Sequence, residues 1–392
     1  MVAGCLAAGC DGARSGGAEA VTRSTTPGGW ERVTYDVPPE GVEGELSLDL
    51  ELGSLEGGEG EVYFGDIRGI EIDAEGELLI LDYQASEIHA FDFEGNHLGL
   101  RHGSGEGPRE VAEANGLFVD DGGDLWINDH GKMRLTRIRT DGEVATYAFP
   151  LPRYGYLWSG VVGSDGRFWE TFTYRDPDQT RPDPGYVEST SSVGVLAVDP
   201  ASGARDSLPI GEATSRGIAL ERGFAGVPFA PARLQALDPD GYLWTMASSD
   251  TYHLTRIELA TGDTLVEVDL PVRGPVVEPA ERRAEIERVE EFMERAGRTS
   301  VDWDDVLPER KPAAYQISVD ADGNAWVLRQ READARWVAD VVAPDGRWLR
   351  TWVLPFEPLR YYVPVIRDGW FFTVRTGEFE EPYVVGSRFE ME

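Results

Sequence analysis

A strand–turn–strand unit recurs six times along this chain of 392 residues, and the repeat constrains the fold more than any other feature. Each copy has an apolar strand, a tight turn built on Asp and Gly, and a second strand rich in Trp, Leu and Val. The copies cover residues 70–81, 117–128, 161–172, 236–246, 317–328 and 363–374. Because the turn Gly supplies the positive φ of a short hairpin, we expect six equivalent hairpins.

A second pair of strands, also joined by a Gly turn, follows five of these hairpins. It covers residues 88–100, 135–149, 195–208, 254–268 and 338–354. Four-stranded units repeated within one domain are typical of a β-propeller, which hides its sheet edges by closing into a ring. The sequence therefore predicts an all-β fold, a six-bladed β-propeller with four-stranded blades.

The sixth blade lacks one strand, because the chain supplies only residues 382–390 after its first hairpin. Two segments that precede the first repeat, 30–37 and 44–54, have strand patterning. We expect one of them to complete the last blade and close the ring. The predicted organisation is an N-terminal tether over residues 1–29 and a propeller over 30–392.

The connector after the first blade, residues 105–111, reads Gly-Glu-Gly-Pro-Arg-Glu-Val. Together with the six repeats, it resembles the bacterial six-bladed β-propeller family of envelope proteins and lipoproteins related to NHL-repeat propellers. That family typically has Gly-Glu-Gly-Pro-Gly-Glu-Phe, so this chain departs from it at Arg109 and Val111. The resemblance covers roughly residues 44–390 and implies the fold more strongly than a function. The connector is expected to turn a corner, because a phosphate cradle would be followed by a helix.

Both cysteines lie in the first ten residues, so the rest of the chain has neither a disulfide framework nor a Cys-based metal site. Residues 2–5 and 7–10 each resemble a lipobox, in which small residues precede a Cys that becomes lipidated. We expect a lipid anchor on Cys10 or Cys5, with a signal peptide whose start lies upstream of Met1. The localisation implied is the cell envelope, as a periplasmic or outer-membrane lipoprotein. The alternative is a small-residue N-terminus without a role.

The net charge of −35, from 71 acidic and 36 basic residues, would repel nucleic acid and anionic lipid surfaces. No run of about 18 apolar residues is present, so no segment is expected to span a membrane. The expected partner is therefore a protein or a small-molecule ligand.

The long insertions all fall on one face of the predicted disc. They cover residues 175–191 in blade 3 and the crossovers 209–232 and 270–313 that enter blades 4 and 5. Because long loops that cluster often bind ligands, we call this the decorated face and expect the binding surface there. One helical insertion is predicted at 279–297, between blades 4 and 5, with Pro at its start and an apolar stripe of Ile286, Val289, Phe292 and Met293. That stripe is expected to pack onto its own domain; a lid over the channel is the alternative.

Candidate ligand-binding residues are those that lie near the decorated face outside the repeat, where aromatic rings and positive charge are unexpected. They are Arg109, Glu110, Glu113, Asn115, Tyr156, Trp158, Phe229, Arg233, Tyr315, Arg360 and Tyr361. Each Arg could instead neutralise a neighbouring carboxylate. The Trp residues that recur after the first turn of five blades are expected to pack one blade against the next.

Two functions follow, of different classes. The first is non-enzymatic recognition at the cell envelope, without a cofactor. The alternative is a calcium-assisted hydrolase (lactonase) or lyase at the channel mouth, because six-bladed propellers include calcium-dependent lactonases. A channel metal needs oxygen ligands from several blades, whereas Glu113, Asn115 and Asn128 all come from blade 2. No HExxH or GxSxG motif supports zinc or serine chemistry.

Overall fold

The computed structural model describes residues 21–39, 42–55, 61–148, 160–174, 182–296 and 301–391. Within these ranges the strands form six sheets, in agreement with the six predicted blades. Four strands precede the first blade: β1 (Val21–Thr25), β2 (Glu31–Tyr35), β3 (Glu43–Glu45) and β4 (Leu50–Leu52).

The blades follow one another along the chain, and the strands of each blade run in order from the innermost outward. Blade 1 has β5 (Ile67–Ile72), β6 (Leu78–Asp82), β7 (Glu87–Phe91) and β8 (His97–His102), and blade 2 has β9 (Ala114–Val119), β10 (Leu125–Asp129), β11 (Arg134–Ile138) and β12 (Val144–Ala148). Blade 3 has β13 (Val161–Val162), β14 (Phe168–Thr173), β15 (Gly185–Val198), β16 (Arg205–Ala219) and β17 (Phe224–Gly226).

Blade 4 has β18 (Leu234–Asp238), β19 (Tyr242–Met246), β20 (Tyr252–Glu258) and β21 (Thr264–Leu270), after which come helices α1 (Pro279–Ala296) and α2 (Trp303–Val306). Blade 5 has β22 (Gln316–Val319), β23 (Ala325–Gln330), β24 (Trp337–Val342) and β25 (Trp348–Val353). Blade 6 has β26 (Val365–Arg367), β27 (Trp370–Thr376) and β28 (Pro382–Arg388).

Innermost strands of successive blades contact each other in cyclic order, and this makes the sheets a ring. β5 contacts β9, β18 contacts β22, β22 contacts β26, and β26 returns to β5. Blades 2 and 3 share an apolar cluster that includes Trp126 and Phe168, and β14 of blade 3 contacts β18 of blade 4. The core is therefore distributed over the interfaces between blades.

The ring is closed by an N-terminal strand, as predicted. β4 pairs antiparallel with β28, so the 44–54 segment supplies the outer strand that blade 6 lacks. The 30–37 segment has another position, because β2 lies parallel to β21 on the outside of blade 4. β3 likewise lies parallel to β25 on blade 5. The N-terminal region therefore adds two strands, β1 and β2, to the sheet of blade 4 and one strand each to blades 5 and 6.

The predicted tether needs a correction at its C-terminal end. β1 lies within residues 1–29 and pairs antiparallel with β2, from Val21 with Tyr35 to Thr25 with Glu31. The sheet of blade 4 therefore begins inside the segment that composition assigned to a flexible linker. The Thr and Ser side chains of this strand point largely to solvent, which is why the segment lacks apolar alternation.

The first-turn glycines and the tryptophans that follow them play the roles predicted for the repeat. The six glycines have φ between +75° and +88°: Gly76, Gly123, Gly166, Gly241, Gly323 and Gly369. The indole N–H groups of Trp126 and Trp326 each donate to the turn Asp, Asp120 and Asp320, at 2.8 Å. The indole of Trp326 then packs near Phe371 of the next blade, with ring centroids 6.1 Å apart.

Replacing either Leu50 or Leu52 of β4 by Ala is expected to lower the free energy of unfolding by about 2–5 kcal/mol, because both side chains are buried where the ring closes. Leu48, which precedes this strand, is 46% exposed and provides the matched control. Leu48→Ala should change stability by less than about 0.5 kcal/mol. Equal losses in all three variants, measured by urea unfolding, would contradict closure through β4.

Candidate functional site

A hairpin that rises from blade 3 forms one wall of the decorated face. β14 pairs with β15 only from Val193 to Val198, whereas β15 and β16 stay paired up to Gly185 and Ala219. We call the part beyond the blade, residues 185–193 and 211–219, the projecting hairpin. The insertions predicted as loops over 175–191 and 209–232 therefore contain long strands where the structure describes them; residues 175–181 lie outside the described ranges.

The crossovers that enter blades 4 and 5 pack together on this hairpin, which confirms that the insertions cluster. β17 extends the sheet of β16, and α1 and α2 cover it. Their shared apolar cluster contains Ile218, Leu220, Ala225, Val227, Phe229, Val277, Val289, Met293, Trp303 and Leu307. We call the β17, α1 and α2 assembly the cap.

Helix α1 packs with its predicted apolar stripe onto the cap, which agrees with packing onto its own domain. Val289 and Met293 are buried, and Ile286 is partly buried against the same cluster. Phe292 departs from the prediction, because it is 43% exposed. At about 100° per residue it lies roughly 100° around the helix from Met293, at the border of the stripe.

Three of the predicted ligand residues come together where the cap meets blades 5 and 6. The Arg360 guanidinium lies 5.8 Å from the Phe229 ring and 6.0 Å from the Tyr315 ring. Burial raises the pKa of Tyr315 well above its usual range, so its hydroxyl stays neutral. The Arg360 charge is already matched, because Glu281 and Glu285 of α1 each approach it at 3.6 Å.

The same carboxylates attach α1 to the propeller. Glu281 also forms an ion pair with Lys311, with 2.7 Å between the carboxylate oxygen and the ammonium nitrogen. The same ammonium donates a hydrogen bond to the side-chain oxygen of Gln330 in β23 at 3.0 Å. Glu281 therefore bridges two cations, Lys311 before blade 5 and Arg360 before blade 6. This arrangement matches the alternative in which Arg360 neutralises nearby carboxylates and holds the cap in place.

Arg233, at the entry to blade 4, has a different environment. Its two terminal nitrogens donate to the carbonyls of Glu212 and Ile210, both at 3.1 Å, on the projecting hairpin and at its base. Burial lowers the pKa of Arg233, and no charged neighbour among the described residues opposes that effect. A guanidinium remains protonated even so, and Arg233 is thus a partly buried cation held by backbone oxygens.

A β-bulge at the base of the projecting hairpin aims these two carbonyls. Val193 pairs with Gly211, but the next residue, Gly194, pairs with Pro209, so Ile210 is the extra residue. Gly211 has φ +125°, a conformation that other residues rarely adopt. A bulge redirects the backbone locally, and at this point it places the oxygens on either side of Gly211 toward Arg233.

A cleft of about 360 Å³, which we call the Arg233 cleft, lies between the projecting hairpin and the crossover to blade 4. It is lined by Thr173, Val193, Ala213, Thr214, Ser215, Arg216, Val227, Ala230, Pro231, Ala232, Arg233 and Gln235. The second cation, Arg216, pairs with Glu188 at 3.0 Å. Gln235 has a buried amide oxygen without a hydrogen-bond partner among the described residues.

Arg109 and Glu110 lie in the connector and bond within it or to blade 2. The Glu110 carboxylate accepts from the Gly107 N–H at 2.6 Å, and Gly105 N–H donates to the Val111 carbonyl at 3.1 Å. Arg109 donates to the Gly142 carbonyl of blade 2. These bonds are those of a loop turning a corner, and they place neither residue in the Arg233 cleft.

The candidates in blade 2 have structural surroundings. Asp129, at the end of β10, accepts from the Ala112 and Glu113 N–H groups at 3.2 and 3.3 Å, and Asp82 accepts similar bonds in blade 1. Asn115 is buried, whereas Glu113 is exposed. Within the described ranges no three His, Cys, Asp or Glu side chains are grouped as metal ligands, and a calcium site stays a prediction.

Of the remaining predicted site residues, the structure describes only Tyr361. Tyr361 is 51% exposed beside the buried Tyr362. Tyr156, Trp158, Cys5 and Cys10 lie outside the described residues. No helix of the described part of the chain is both long and apolar enough to cross a membrane.

Sequence reasoning missed Gln235 and the carbonyls of Ile210 and Glu212. The one available signal was Pro209 followed two residues later by Gly211, which interrupts an otherwise strand-like run and is typical of a bulge. That signal indicates an irregularity but not which side chain the bulge will face.

Several solved structures are similar to this chain, whereas no family model and no curated protein matches it. A member of the DUF4221 family from Bacteroides vulgatus has a TM-score of 0.50 at 12% identity, over 89% of this chain and 98% of that one. A gluconolactonase from Xanthomonas campestris has a TM-score of 0.41 at 15% identity, over 83% and 86%. A streptogramin B lyase has 0.40 at 17%, over 88% of each chain.

Identities this low concern the fold alone, and the fold of this chain is a β-propeller. The relationship to NHL-repeat proteins stays a prediction.

Glu170 of β14 is a half-buried residue, and one of its carboxyl oxygens is fully buried. It lies on the same side of the strand as Phe168, which packs against Trp126 of blade 2. One carboxyl oxygen has no hydrogen-bond partner among the described residues, and burial raises the pKa of Glu170 to about 7. Compared with the unfolded chain, the folded state therefore favours the protonated form of Glu170.

Glu170→Gln is expected to stabilise the protein at pH 8 and to have little effect at pH 4. The folded pKa of Glu170 lies above the unfolded value, so its ionisation destabilises the fold as pH rises from about 4.5 to above 7. The gain at pH 8 should be at most roughly 3 kcal/mol, measured by urea unfolding. A gain that is the same at both pH values would contradict a buried, neutral carboxyl.

Proposed function

We propose that this propeller binds a small ligand in the Arg233 cleft on its decorated face. The observation that carries the proposal is the state of Arg233, a partly buried cation that donates to two backbone carbonyls and forms no ion pair among the described residues.

The fully buried cations among the described residues are paired with carboxylates, whereas Arg134, half-buried like Arg233, donates to the Gly107 and Glu110 carbonyls. Arg329 pairs with Asp340 between β23 and β24, and Lys311 pairs with Glu281. With 71 acidic residues in the chain, a carboxylate could equally have been placed beside Arg233. Because an unpaired buried charge costs stability, its retention favours a role in binding.

The crossover and the projecting hairpin give this cleft the composition of a small-molecule site. Apolar side chains of Val193, Val227 and Pro231 form part of the lining, and Thr173 and Thr214 contribute polar groups. Sites of this kind are mostly apolar, with a few polar groups that orient the ligand. Recognition at the decorated face is thus the function that the geometry supports best.

A metal-assisted hydrolase or lyase is the second candidate, and one pair of residues on innermost strands favours it. Glu71 on innermost strand β5 lies 3.3 Å from Arg367 on innermost strand β26. Burial raises the pKa of Glu71 to about 7, a value suited to a general acid or base. The gluconolactonase and the lyase among the similar structures belong to this class by name. No comparison supports binding without catalysis, which rests on the cleft alone.

Filling the cleft should abolish ligand binding. Ala213→Phe places a ring in the lining from outer strand β16, and Ala145→Phe on outer strand β12 of blade 2 is the matched control. Ligands found by saturation-transfer NMR in a set of small acids, amides and sugars should lose contact with Ala213→Phe and keep it with Ala145→Phe. Equal binding by both variants would contradict a site in this cleft.

Catalysis is tested separately, on the wild-type protein and on two variants. Turnover of lactones or esters that stops with EDTA, returns with Ca²⁺ and is lost in Glu71→Gln would establish the second candidate. The Ala213→Phe variant should leave such turnover unchanged if the reaction occurs in the channel. Binding without turnover, with or without Ca²⁺, would support recognition.

We further propose that the protein is held at the cell envelope by a lipid on Cys10 or Cys5. The support is sequence alone, namely the two lipobox-like contexts. Expressed in bacteria, the protein should incorporate an alkyne-labelled fatty acid. One of Cys10→Ser and Cys5→Ser should lose the label and the other keep it. Equal labelling of the double variant would argue against the anchor.

A further inference from the structure

We infer that the ligand of the Arg233 cleft is a compact organic monoanion, whose single acidic group is bound by Arg233 and whose body contacts the apolar wall. This inference rests on the proposed function of the cleft and adds the chemical class of its ligand.

The first support is the orientation of the Arg233 guanidinium. The bonds to the Ile210 and Glu212 carbonyls use one hydrogen on each terminal nitrogen. Each of those nitrogens carries a second hydrogen, so donors remain on a group that the bulge already holds in position. A planar donor group fixed in advance suits a planar carboxylate, because less side-chain entropy is lost on binding.

The second support is the number of charges that the cleft can neutralise. Among the described residues of the lining, Arg233 and Arg216 are the cations, and Glu188 already pairs with Arg216. One positive charge is left for the ligand. With a net charge of −35, the protein repels any additional negative charge that the ligand carries. A monoanion is therefore favoured over a di- or polyanion.

The third support is the shape and lining of the cleft. Its volume of about 360 Å³ is at the lower end of the range for small-molecule sites. Val193, Val227, Ala230 and Pro231 form apolar surface near the cation. An inorganic anion would leave this surface in water, whereas a short-chain or aromatic acid would cover it.

Butyrate and its neutral analogue butyramide are the matched probes, because they differ mainly in charge. By isothermal titration calorimetry at low salt, the wild-type protein should bind butyrate at least roughly tenfold more tightly than butyramide. Arg233→Gln should weaken butyrate binding by roughly ten- to a hundredfold and change butyramide binding little. The control Arg139→Gln, between β11 and β12 of blade 2, should change either affinity less than about threefold, because it removes the same charge at an exposed position outside the cleft.

A second variant guards against structural damage, since Arg233 also donates to the hairpin carbonyls. Arg233→Lys retains the charge and loses the planar group, so its butyrate affinity should lie between those of wild type and Arg233→Gln. Thermal unfolding of each variant shows whether the propeller remains folded.

Three results would overturn the inference. They are equal affinity of wild type for butyrate and butyramide, unchanged butyrate binding by Arg233→Gln, and no binding of butyrate, hexanoate or benzoate up to about 10 mM. If neutral probes bind wild type but not Ala213→Phe, the cleft remains a ligand site and only the monoanion inference fails. If Ala213→Phe binds every probe as wild type does, the proposed site fails as well.

Discussion

The pairing of β4 with β28 is the interaction on which the rest of the structure depends. Leu50 to Leu52 complete the last blade with Val384 to Gly386, and without them a sheet edge would open and the ring would end at blade 6. β2 and β3 extend the same N-terminal region along blades 4 and 5. These blades flank the helices of the cap, so the region that closes the ring supports the decorated face.

The cations of the decorated face have two kinds of partner, carboxylates or backbone carbonyls. Lys311 and Arg360 are paired with carboxylates of α1 and hold the cap. Arg233 is held by two carbonyls from a β-bulge, which orient the side chain without cancelling its charge. In the inferred complex, the ligand's anionic group would offset the free-energy cost of placing the Arg233 charge in a half-buried position without an ion pair among the described residues.

The cleft and the central channel are separate places on the propeller. The cleft depends on the projecting hairpin of blade 3, whereas Glu71 and Arg367 lie on innermost strands of blades 1 and 6. The proposed recognition and the alternative catalysis would therefore depend on different residues, and variants in each place test them separately.

The sequence by itself determined the repeated hairpins, the turn glycines, the blade-to-blade packing of the tryptophans and the helix at 279–296, because each depends on local periodicity or on the conformation of one residue. It also narrowed the ring-closing strand to two segments. Only the tertiary structure decided that Arg360 pairs with carboxylates, whereas Arg233 has no carboxylate partner among the described residues. The two look alike in sequence, and their environments differ because α1 brings carboxylates to Arg360 while a bulge brings carbonyls to Arg233. Such pairing depends on contacts between distant segments, which no local pattern encodes.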